Sequence, residues 1–293
     1  MNRLLRVMIL IGAALLGAAG MAPARAEGLV MRLAAVSEPF LSLPHDITLT
    51  PDGQYLVVAD MGHDRVVFLE PSTLALRHVI GEGVMSFPHD VVFDPQGRLL
   101  VADSGNDRIL VYALDGLQVK LLNVWSGLDG PEGITVTPDG RIYVALVGEN
   151  RVVRLQDGKV VNSIGTALGM MLDRPHDVEV VNDVYGLSII ATDAGNHRLI
   201  VFDEHLHPLY EISTWDPPFS EPKYISVNEK GMIFVADQYN NRIRVFNASS
   251  QQLGQFALND VKLPEGVFAR EDRVWISDTE GGRILLYQQG EKN

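Results

Sequence analysis

Six residues in this sequence directly follow a proline and carry side chains suited to acid–base or metal chemistry. Three are histidines and two are glutamates, and both types bind zinc and other divalent metals. The sixth is a lysine. They recur about 43 residues apart, at His45, His89, Glu132, His176, Lys223 and Glu265. A fixed interval of this length is typical of a solenoid, a propeller or another repeat array.

The same interval separates a second set of residues, about 20 positions after each proline. There an arginine opens an apolar run, at Arg65, Arg108, Arg151, Arg198, Arg242 and Arg283. Five of these arginines follow an aspartate by five positions (Asp60, Asp103, Asp193, Asp237 and Asp278), whereas the third copy has Leu146. One active site does not need five copies of a pair. We therefore interpret the pairs as structural, with each aspartate accepting loop amides and binding its arginine.

The second copy shows what one repeat contains. Four short apolar runs follow one another, at residues 90–94, 98–103, 108–113 and 118–124, and turn residues such as Pro95-Gln96-Gly97 separate them. No helix-length pattern lies between the runs. Four short antiparallel strands per repeat predict a propeller blade.

The two ends of the repeat region predict how the ring closes. The sixth copy lacks a fourth strand, whereas residues 28–36, before the first copy, form an unassigned strand-like segment. Pairing the two would remove the exposed edges of an open ring. The sequence therefore predicts an all-β fold, a six-bladed propeller of four-stranded antiparallel blades closed by its N-terminal strand. An open β-solenoid is the alternative.

Residues 1–26 have the pattern of a secretory signal peptide, which leaves residues 27–293 as the propeller domain. Arg3 and Arg6 precede an uncharged apolar stretch at residues 7–19, and Ala24-Arg25-Ala26 forms a cleavage site. We expect an exported protein, periplasmic or extracellular, with no membrane anchor after cleavage. The sequence has no cysteine, so it contains no disulfide, thiolate ligand or cysteine nucleophile.

The charge of the chain limits its partners. The predicted signal peptide carries three arginines and no acid, so removing it lowers the net charge from −13 to −16. Such a surface repels phosphate backbones and disfavours nucleic-acid binding. Cationic ligands, metal ions and neutral small molecules fit better, although solubility alone also explains an acidic surface.

The repeats resemble NHL repeats, from about residue 37 to residue 289. The shared features are the opening Pro-x-Asp/Gly, a Pro-Asp-Gly turn, Val-Ala-Asp, and Asn-x-Arg followed by an apolar residue. The closest matches are residues 58–60, 101–103 and 235–243. The resemblance implies a six-bladed propeller. It does not imply one function, because similar propellers bind proteins, bind RNA or catalyse reactions.

In an NHL-like propeller the residue after each opening proline begins the innermost strand, at one mouth of the central channel. Alternate blades would then place His89, His176 and Glu265 as a threefold metal-ligand set, with zinc or another divalent metal as the cofactor. His45, Glu132 and Lys223 would be the other mouth residues, where Lys223 opposes a cation or pairs with Glu132. Alternatively, Pro-His-Asp is turn chemistry, with Asp46, Asp90 and Asp177 as turn residues or as partners that orient the histidines.

A weaker resemblance is to peptidyl-α-hydroxyglycine α-amidating lyase, a branch of NHL-like propellers that holds zinc with histidines of Pro-His openings. It implies His89 and His176 as ligands, with Glu265 where the family has a third histidine, and Tyr239 as the catalytic base. The chain departs from the family at residues 145–148, where no arginine stands. Substrate carboxylate recognition would then depend on Lys223 or, less well, Arg151. The family's disulfides are also missing.

Two classes of function follow, and the sequence leaves both open. The first is an exported, monomeric propeller that binds a small-molecule, peptide or protein ligand at a channel mouth able to hold a metal. The second is a metal-dependent lyase that resembles the amidating lyase. No nucleophile elbow, phosphate-binding glycine loop or His-Glu-x-x-His motif supports another catalytic scheme.

Overall fold

The computed structural model describes residues 30–183, 185–214, 217–258 and 261–290. The predicted signal peptide, residues 1–26, lies outside the described residues. Six four-stranded antiparallel sheets form the blades of a propeller, and a two-stranded hairpin lies between the third and fourth blades. The all-β, six-bladed prediction is confirmed. No helix in the described part of the chain is long and apolar enough to cross a membrane.

Blades 1 to 3 each use four consecutive strands, with the innermost strand first. Their bounds are β2 (Pro44–Leu49), β3 (Leu56–Asp60), β4 (Arg65–Leu69), β5 (Leu76–Ile80), β6 (Pro88–Phe93), β7 (Leu99–Asp103), β8 (Arg108–Asp115), β9 (Gln118–Ser126), β10 (Pro131–Val136), β11 (Ile142–Leu146), β12 (Arg151–Gln156) and β13 (Lys159–Ile164).

Blades 4 and 5 repeat this order, and blade 6 takes its fourth strand from the start of the described chain. The bounds are β14 (Thr166–Ala167) and β15 (Met170–Met171) for the hairpin, then β16 (Pro175–Asp183), β17 (Gly186–Asp193), β18 (Arg198–Phe202), β19 (Pro208–Ile212), β20 (Pro222–Val227), β21 (Ile233–Asp237), β22 (Arg242–Phe246), β23 (Gln252–Ala257), β24 (Pro264–Arg270), β25 (Arg273–Asp278), β26 (Arg283–Gln289) and β1 (Met31–Val36).

Strand β1 closes the ring as predicted. It pairs antiparallel with β26 from Met31 opposite Gln289 to Val36 opposite Leu285. A blade edge that would otherwise expose unpaired amides and carbonyls is thereby covered. The closure also joins the two ends of the described chain in one sheet.

The core lies between blades rather than at the centre of the ring. Strands β3, β7, β11, β21 and the end of β17 are buried along their length, and each apolar cluster draws on two neighbouring blades. Ile47 and Val91, at the fourth position of their innermost strands, point away from the channel into these clusters. Side chains at other positions of these strands are left to line the channel.

The repeated aspartates and arginines form ion pairs within their own blades. In five blades the arginine Nε lies 2.6–2.8 Å from the aspartate Oδ2. The aspartate Oδ1 accepts a loop amide, as in Ser42 N to Asp60 Oδ1 at 2.7 Å. At the exceptional third copy, Arg151 pairs instead with Glu149 in a short 3-10 turn. The structural interpretation of this pattern therefore agrees with the contacts.

Candidate functional site

The same turn brings the six proline-led triplets to one mouth of the channel. Each innermost strand begins at the triplet proline, and the residue before it has a positive φ of 47–56°. These preceding residues are Leu43, Phe87, Gly130, Arg174, Glu221 and Leu263. Residues other than glycine rarely adopt this conformation. Its recurrence in all six blades gives the residue after each proline an equivalent place around the axis.

The three histidines of the triplets form one cluster at this mouth. Ring centroids lie 4.7 Å apart for His45 and His89, 6.2 Å for His89 and His176, and 6.3 Å for His45 and His176. His45 and His176 are 5% and 4% exposed. The sequence-based prediction that these side chains gather at one place therefore agrees with the geometry.

His45 and Glu265, from the neighbouring first and sixth blades, form an ion pair. Their Nε2 and Oε2 atoms are 2.7 Å apart, His45 Nδ1 lies 2.9 Å from the Leu43 carbonyl, and Gln238 donates to Glu265 Oε1. Burial alone would lower the pKa of His45, but the charge and hydrogen bond of Glu265 raise it above its ordinary value. Burial would likewise raise the pKa of Glu265, and His45 lowers it. Opposite charges therefore stabilise each other in this half of the mouth.

Glu132 lies between the other two histidines. Its Oε1 is 3.6 Å from His89 Nε2, and its Oε2 is 3.4 Å from His176 Nε2. Burial raises the pKa of Glu132 to about 7. Burial also lowers the pKa of His89 to about 3 and that of His176 well below its ordinary value. The result is a carboxyl group that exchanges a proton near neutral pH, beside two neutral imidazoles.

A hydrogen bond fixes which ring nitrogen of His89 carries the proton and which carries the lone pair. Its Nδ1 lies 2.8 Å from the Phe87 carbonyl, so Nδ1 carries the proton and Nε2 faces Glu132 as an acceptor. Two buried atoms nearby have no hydrogen-bond partner among the described residues, Glu132 Oε2 and His176 Nδ1. Buried polar atoms are normally paired. This half of the mouth therefore has hydrogen-bonding capacity that the described protein groups do not use.

The predicted metal set of His89, His176 and Glu265 is not assembled as a ligand sphere in this arrangement. Glu265 is paired with His45, and the glutamate between His89 and His176 is Glu132. Within residues 30–183, 185–214, 217–258 and 261–290, no three His, Asp or Glu side chains converge closely enough to hold a metal ion. The donors as arranged do not fit zinc, and zinc binding stays a prediction.

Charged residues form one arc of the mouth rim. Lys223 Nζ lies 3.8 Å from Glu221 Oε2, and Arg174 holds Glu221 with its two terminal nitrogens at 3.0 and 3.3 Å. Tyr239 is 56% exposed in the adjacent 3-10 turn. The hydrogen bonds of Glu221 raise the pKa of Arg174, and Tyr239 adds a smaller contribution. Arg174 was not predicted from the sequence, although its place directly before a triplet proline is a signal that could have identified it.

The loops that lead into the triplets leave apolar side chains in solvent on the same face. Phe87 is 52% exposed and Met171 is 71% exposed, and smaller exposed groups accompany them: Leu43, Val84, Leu168 and Met170. The remaining residues before the triplet prolines are Gly130, Arg174, Glu221 and Leu263. The mouth thus combines a polar centre with a partly apolar rim.

Tyr224 forms the floor of the mouth. Its ring, from blade 5, crosses the channel and donates its hydroxyl hydrogen to the His89 carbonyl of blade 2 at 2.8 Å. The ring centroid is 4.9 Å from that of His176, and the side chain is completely buried. Two other residues at this level are glycines. A Cβ at Gly266 would lie 2.1 Å from the His45 carbonyl oxygen, so the neighbouring strands approach too closely for a side chain.

Comparison with known proteins supports this architecture. The NHL repeat family matches residues 85–112, and the N-terminal part of the strictosidine synthase-like family matches residues 115–148. No curated protein matches the chain in sequence. The chain is similar in structure to a catalytically inactive His-to-Ala form of virginiamycin B lyase from Staphylococcus aureus with quinupristin. That likeness has a TM-score of 0.61 at 12% identity and covers 84% of this chain and 80% of the other.

Two further solved structures share the fold. A gluconolactonase from Xanthomonas campestris gives a TM-score of 0.68 at 19% identity, covering 85% of this chain and 87% of the other. An auxiliary nutrient binding protein from Bacteroides thetaiotaomicron gives a TM-score of 0.66 at 12% identity. That likeness covers 86% of this chain and 70% of the other. At these identities the likeness shows the fold and not a shared activity. The chain is thus a six-bladed β-propeller that carries an NHL repeat.

Proposed function

We propose that this chain is an exported, monomeric propeller that binds a small organic molecule at the histidine mouth. The observation that carries the proposal is the group of Glu132, His89 and His176. Glu132 Oε2 and His176 Nδ1 lack hydrogen-bond partners among the described residues, and His89 Nε2 presents a lone pair to the channel. These acceptors suit a ligand that donates hydroxyl or amide hydrogens.

The rim supports a ligand that also has an apolar body. Exposed apolar side chains such as Phe87 and Met171 lie on the face where the polar centre opens. Binding would cover them and release ordered water. Arg174 and Lys223 share the carboxylate of Glu221, so a ligand carboxylate could compete for the same cations. A peptide end, a hydroxy acid or a lactone combines these features.

A lyase is the second candidate, and the position of Arg174 favours it. The resemblance to the amidating lyase lacked an arginine, and Arg174 can supply one, because it interacts electrostatically with Tyr239. In this scheme Arg174 binds a substrate carboxylate, and Tyr239 takes the proton whose removal starts the cleavage. The pKa of Glu132, at about 7, suits the return of a proton to the leaving group. One structural relative is a lyase whose His-to-Ala form is catalytically inactive.

The test measures ligand binding and turnover separately. Thermal unfolding of the purified chain is followed with a panel of lactones, hydroxy acids and short peptides, including a peptidyl-α-hydroxyglycine. We expect ligands that raise the unfolding temperature to lose at least about tenfold in affinity in Glu132→Gln, or about 1.4 kcal/mol. His205→Gln is the control, because His205 is exposed and outside the mouth. Equal binding to Glu132→Gln and the parent would overturn the binding proposal.

Turnover then distinguishes the two candidates. Product formation from the peptidyl-α-hydroxyglycine that is lost in both Tyr239→Phe and Arg174→Lys, with ligand binding retained in Tyr239→Phe, supports the lyase. Binding without product supports a binding protein. Product formation unaffected by either substitution would contradict the lyase assignment of these residues.

A further inference from the structure

A second chamber lies in the channel on the far side of Tyr224. It is a cavity of about 240 Å³ and is lined by third- to sixth-position residues of the innermost strands. Four carboxyl side chains enter it: Asp46, Asp90, Asp177 and Glu179. None of the described residues that line the cavity is a lysine, arginine or histidine. Its composition therefore differs from that of the histidine mouth, where both acids and bases occur.

The three aspartates are held by the backbone of the next blade, and Asp177 Oδ1 also accepts the amide hydrogen of Val178 in its own strand. Oδ2 of each accepts an amide hydrogen, from Val91 at 3.3 Å for Asp46, from Ile134 at 3.0 Å for Asp90 and from Ile225 at 2.7 Å for Asp177. Links between blades therefore accompany any local role of these aspartates as turn residues. Each carboxyl group keeps a fixed position in the channel wall.

Asp90 retains a buried oxygen that these links do not use. The residue is 2% exposed, and its Oδ1 has no hydrogen-bond partner among the described residues. An unpaired buried carboxylate oxygen is costly, because it has lost its water without gaining a donor. Asp90 lines the chamber, so a donor bound there would satisfy this atom.

Burial also affects the acids of the chamber. Burial raises the pKa of Asp46 to about 8 and that of Glu179 to about 7. Burial therefore favours the protonated forms of Asp46 and Glu179 over their charged forms. A bound cation would displace protons and leave the carboxylates ionised.

The remaining walls indicate which kind of cation fits. The carboxyl groups share the wall with hydroxyl and apolar side chains: Thr48, Thr135, Ser226, Val92, Phe93, Val136, Val227 and Phe268. No three His, Asp or Glu groups in the described chain converge as ligands of a bare metal ion. The cavity is also much larger than such an ion. An ammonium group on a small apolar body matches both the acidic and the apolar parts of the wall.

We propose that this carboxylate chamber binds a small organic cation, with its ammonium group among Asp46, Asp90, Asp177 and Glu179 and its apolar body against the valine and phenylalanine walls. The site is separate from the histidine mouth and does not depend on the function proposed for it. Donation to Asp90 Oδ1 gives that oxygen the partner it lacks. Charge-assisted hydrogen bonds of this kind are about twice as strong as neutral ones.

Benzylammonium and benzyl alcohol provide a matched pair of probes, since they share a shape and differ in charge. Calorimetry on the full chain should show one benzylammonium per chain, bound at least about tenfold more tightly than benzyl alcohol. The heat should depend on the buffer, because the carboxyl groups release protons that the buffer takes up. Equal affinity for the two probes would overturn the proposal.

Variants locate the binding in the chamber. Asp90→Asn and Glu179→Gln keep the side-chain shapes, and each should weaken benzylammonium at least about tenfold. Asp115→Asn is the control, since Asp115 is exposed and outside the cavity. Unchanged binding in both chamber variants would show that the cation binds elsewhere. Tight 1:1 binding of Ca²⁺ without binding of benzylammonium would show a metal site instead and would also contradict the proposal.

Discussion

The two ends of the channel are built from the same six strands, but their buried charged groups are arranged differently. One end pairs acids with bases, and the other brings acids together. At the histidine mouth, carboxylates lie beside imidazoles, and His45 and Glu265 stabilise each other's charged forms. In the carboxylate chamber the acids face one another without a base, and burial favours the protonated forms of Asp46 and Glu179. Similar burial thus gives different chemistry. What decides it is whether the next blade offers a partner of opposite charge.

The difference depends on the position within the repeat. The second residue of each triplet varies among histidine, glutamate and lysine, which produces pairs across neighbouring blades. The third residue is aspartate, glycine or tyrosine, and no base occurs among them. Tyr224 is the only aromatic side chain at that position, and it separates the two ends. The strongest tests therefore begin with this residue.

Tyr224→Ala should lower the free energy of unfolding the most, because the Tyr224 ring lies between the two ends of the channel. The side chain is completely buried and contacts His176, and loss of a buried aromatic ring costs about 3–5 kcal/mol. Tyr224→Phe keeps the ring and loses the hydrogen bond to the His89 carbonyl, which costs about 1 kcal/mol. Urea unfolding measures both. Equal costs for the two variants would show that the ring does not fill the channel.

Asp46→Asn tests the acidic end through the pH dependence of stability. The pKa of Asp46 is raised from 3.8 to about 8, so the folded state binds more protons than the unfolded state between these values. Stability contributed by this group therefore falls as the pH rises through that window. The Asp46→Asn variant lacks this loss of stability with rising pH, because asparagine does not titrate. Its side chain can still accept the Val91 amide hydrogen.

We expect Asp46→Asn to be more stable than the parent by about 2 kcal/mol at pH 8 and to differ little at pH 4. This is well below what the whole pKa shift would give at about 1.4 kcal/mol per pKa unit, because Asp46 is only partly buried. Urea midpoints at both pH values measure the difference. The exposed Asp115→Asn serves as the control, and a variant less stable than the parent at pH 8 would contradict the repulsion in the chamber.

The fold was predictable because its signals are local and repeated. Proline-led triplets, turn residues and the Asp–Arg pairs occur in blade after blade, and each specifies a contact within its own repeat. Closure by β1 was predictable for the same reason, since one blade lacked a strand that residues 28–36 could supply. Such features can be predicted from the order of the residues along the chain, without knowing which blades meet across the channel.

The sites were predictable only in part, because they depend on which blades meet across the channel. Six mouth residues were identified, yet the metal set was drawn from alternate blades, whereas the ion pairs form between neighbours. Arg174 and Gln238 were missed, since neither occupies the second position of a triplet. Glu179 was missed because a single glutamate in an apolar strand gives no repeated signal. Contact across the axis is a tertiary property that periodicity does not specify.

His89→Gln tests the histidine mouth by the opposite sign of pH dependence. Burial lowers the pKa of His89 from 6.5 to about 3, so below pH 6.5 the unfolded state takes a proton that the folded state does not. The stability contributed by neutral His89 is therefore lost as the pH falls from 6.5 towards 3. The glutamine variant should lose about 1 kcal/mol less than the parent between pH 7 and pH 4.5. An equal or steeper loss would contradict a buried neutral imidazole.

Added zinc should change the unfolding temperature the least, because its predicted ligands contact other side chains. Binding by His89, His176 and Glu265 would have to break the His45–Glu265 pair, at 2.7 Å. We expect added zinc to raise the unfolding temperature by less than about 2 °C, or under about 1 kcal/mol. Elemental analysis of the dialysed chain should then find well under one zinc per chain.

One retained zinc per chain, lost in His89→Ala/His176→Ala with the fold intact, would contradict this expectation and support the metal site predicted from the sequence. Glu265→Gln and Glu132→Gln would then identify the third ligand. Loss of zinc in Glu265→Gln alone would mean that the mouth rearranges to the threefold set of alternate blades. Loss in Glu132→Gln alone would mean that neighbouring blades hold the metal, in the arrangement that the ion pairs already have.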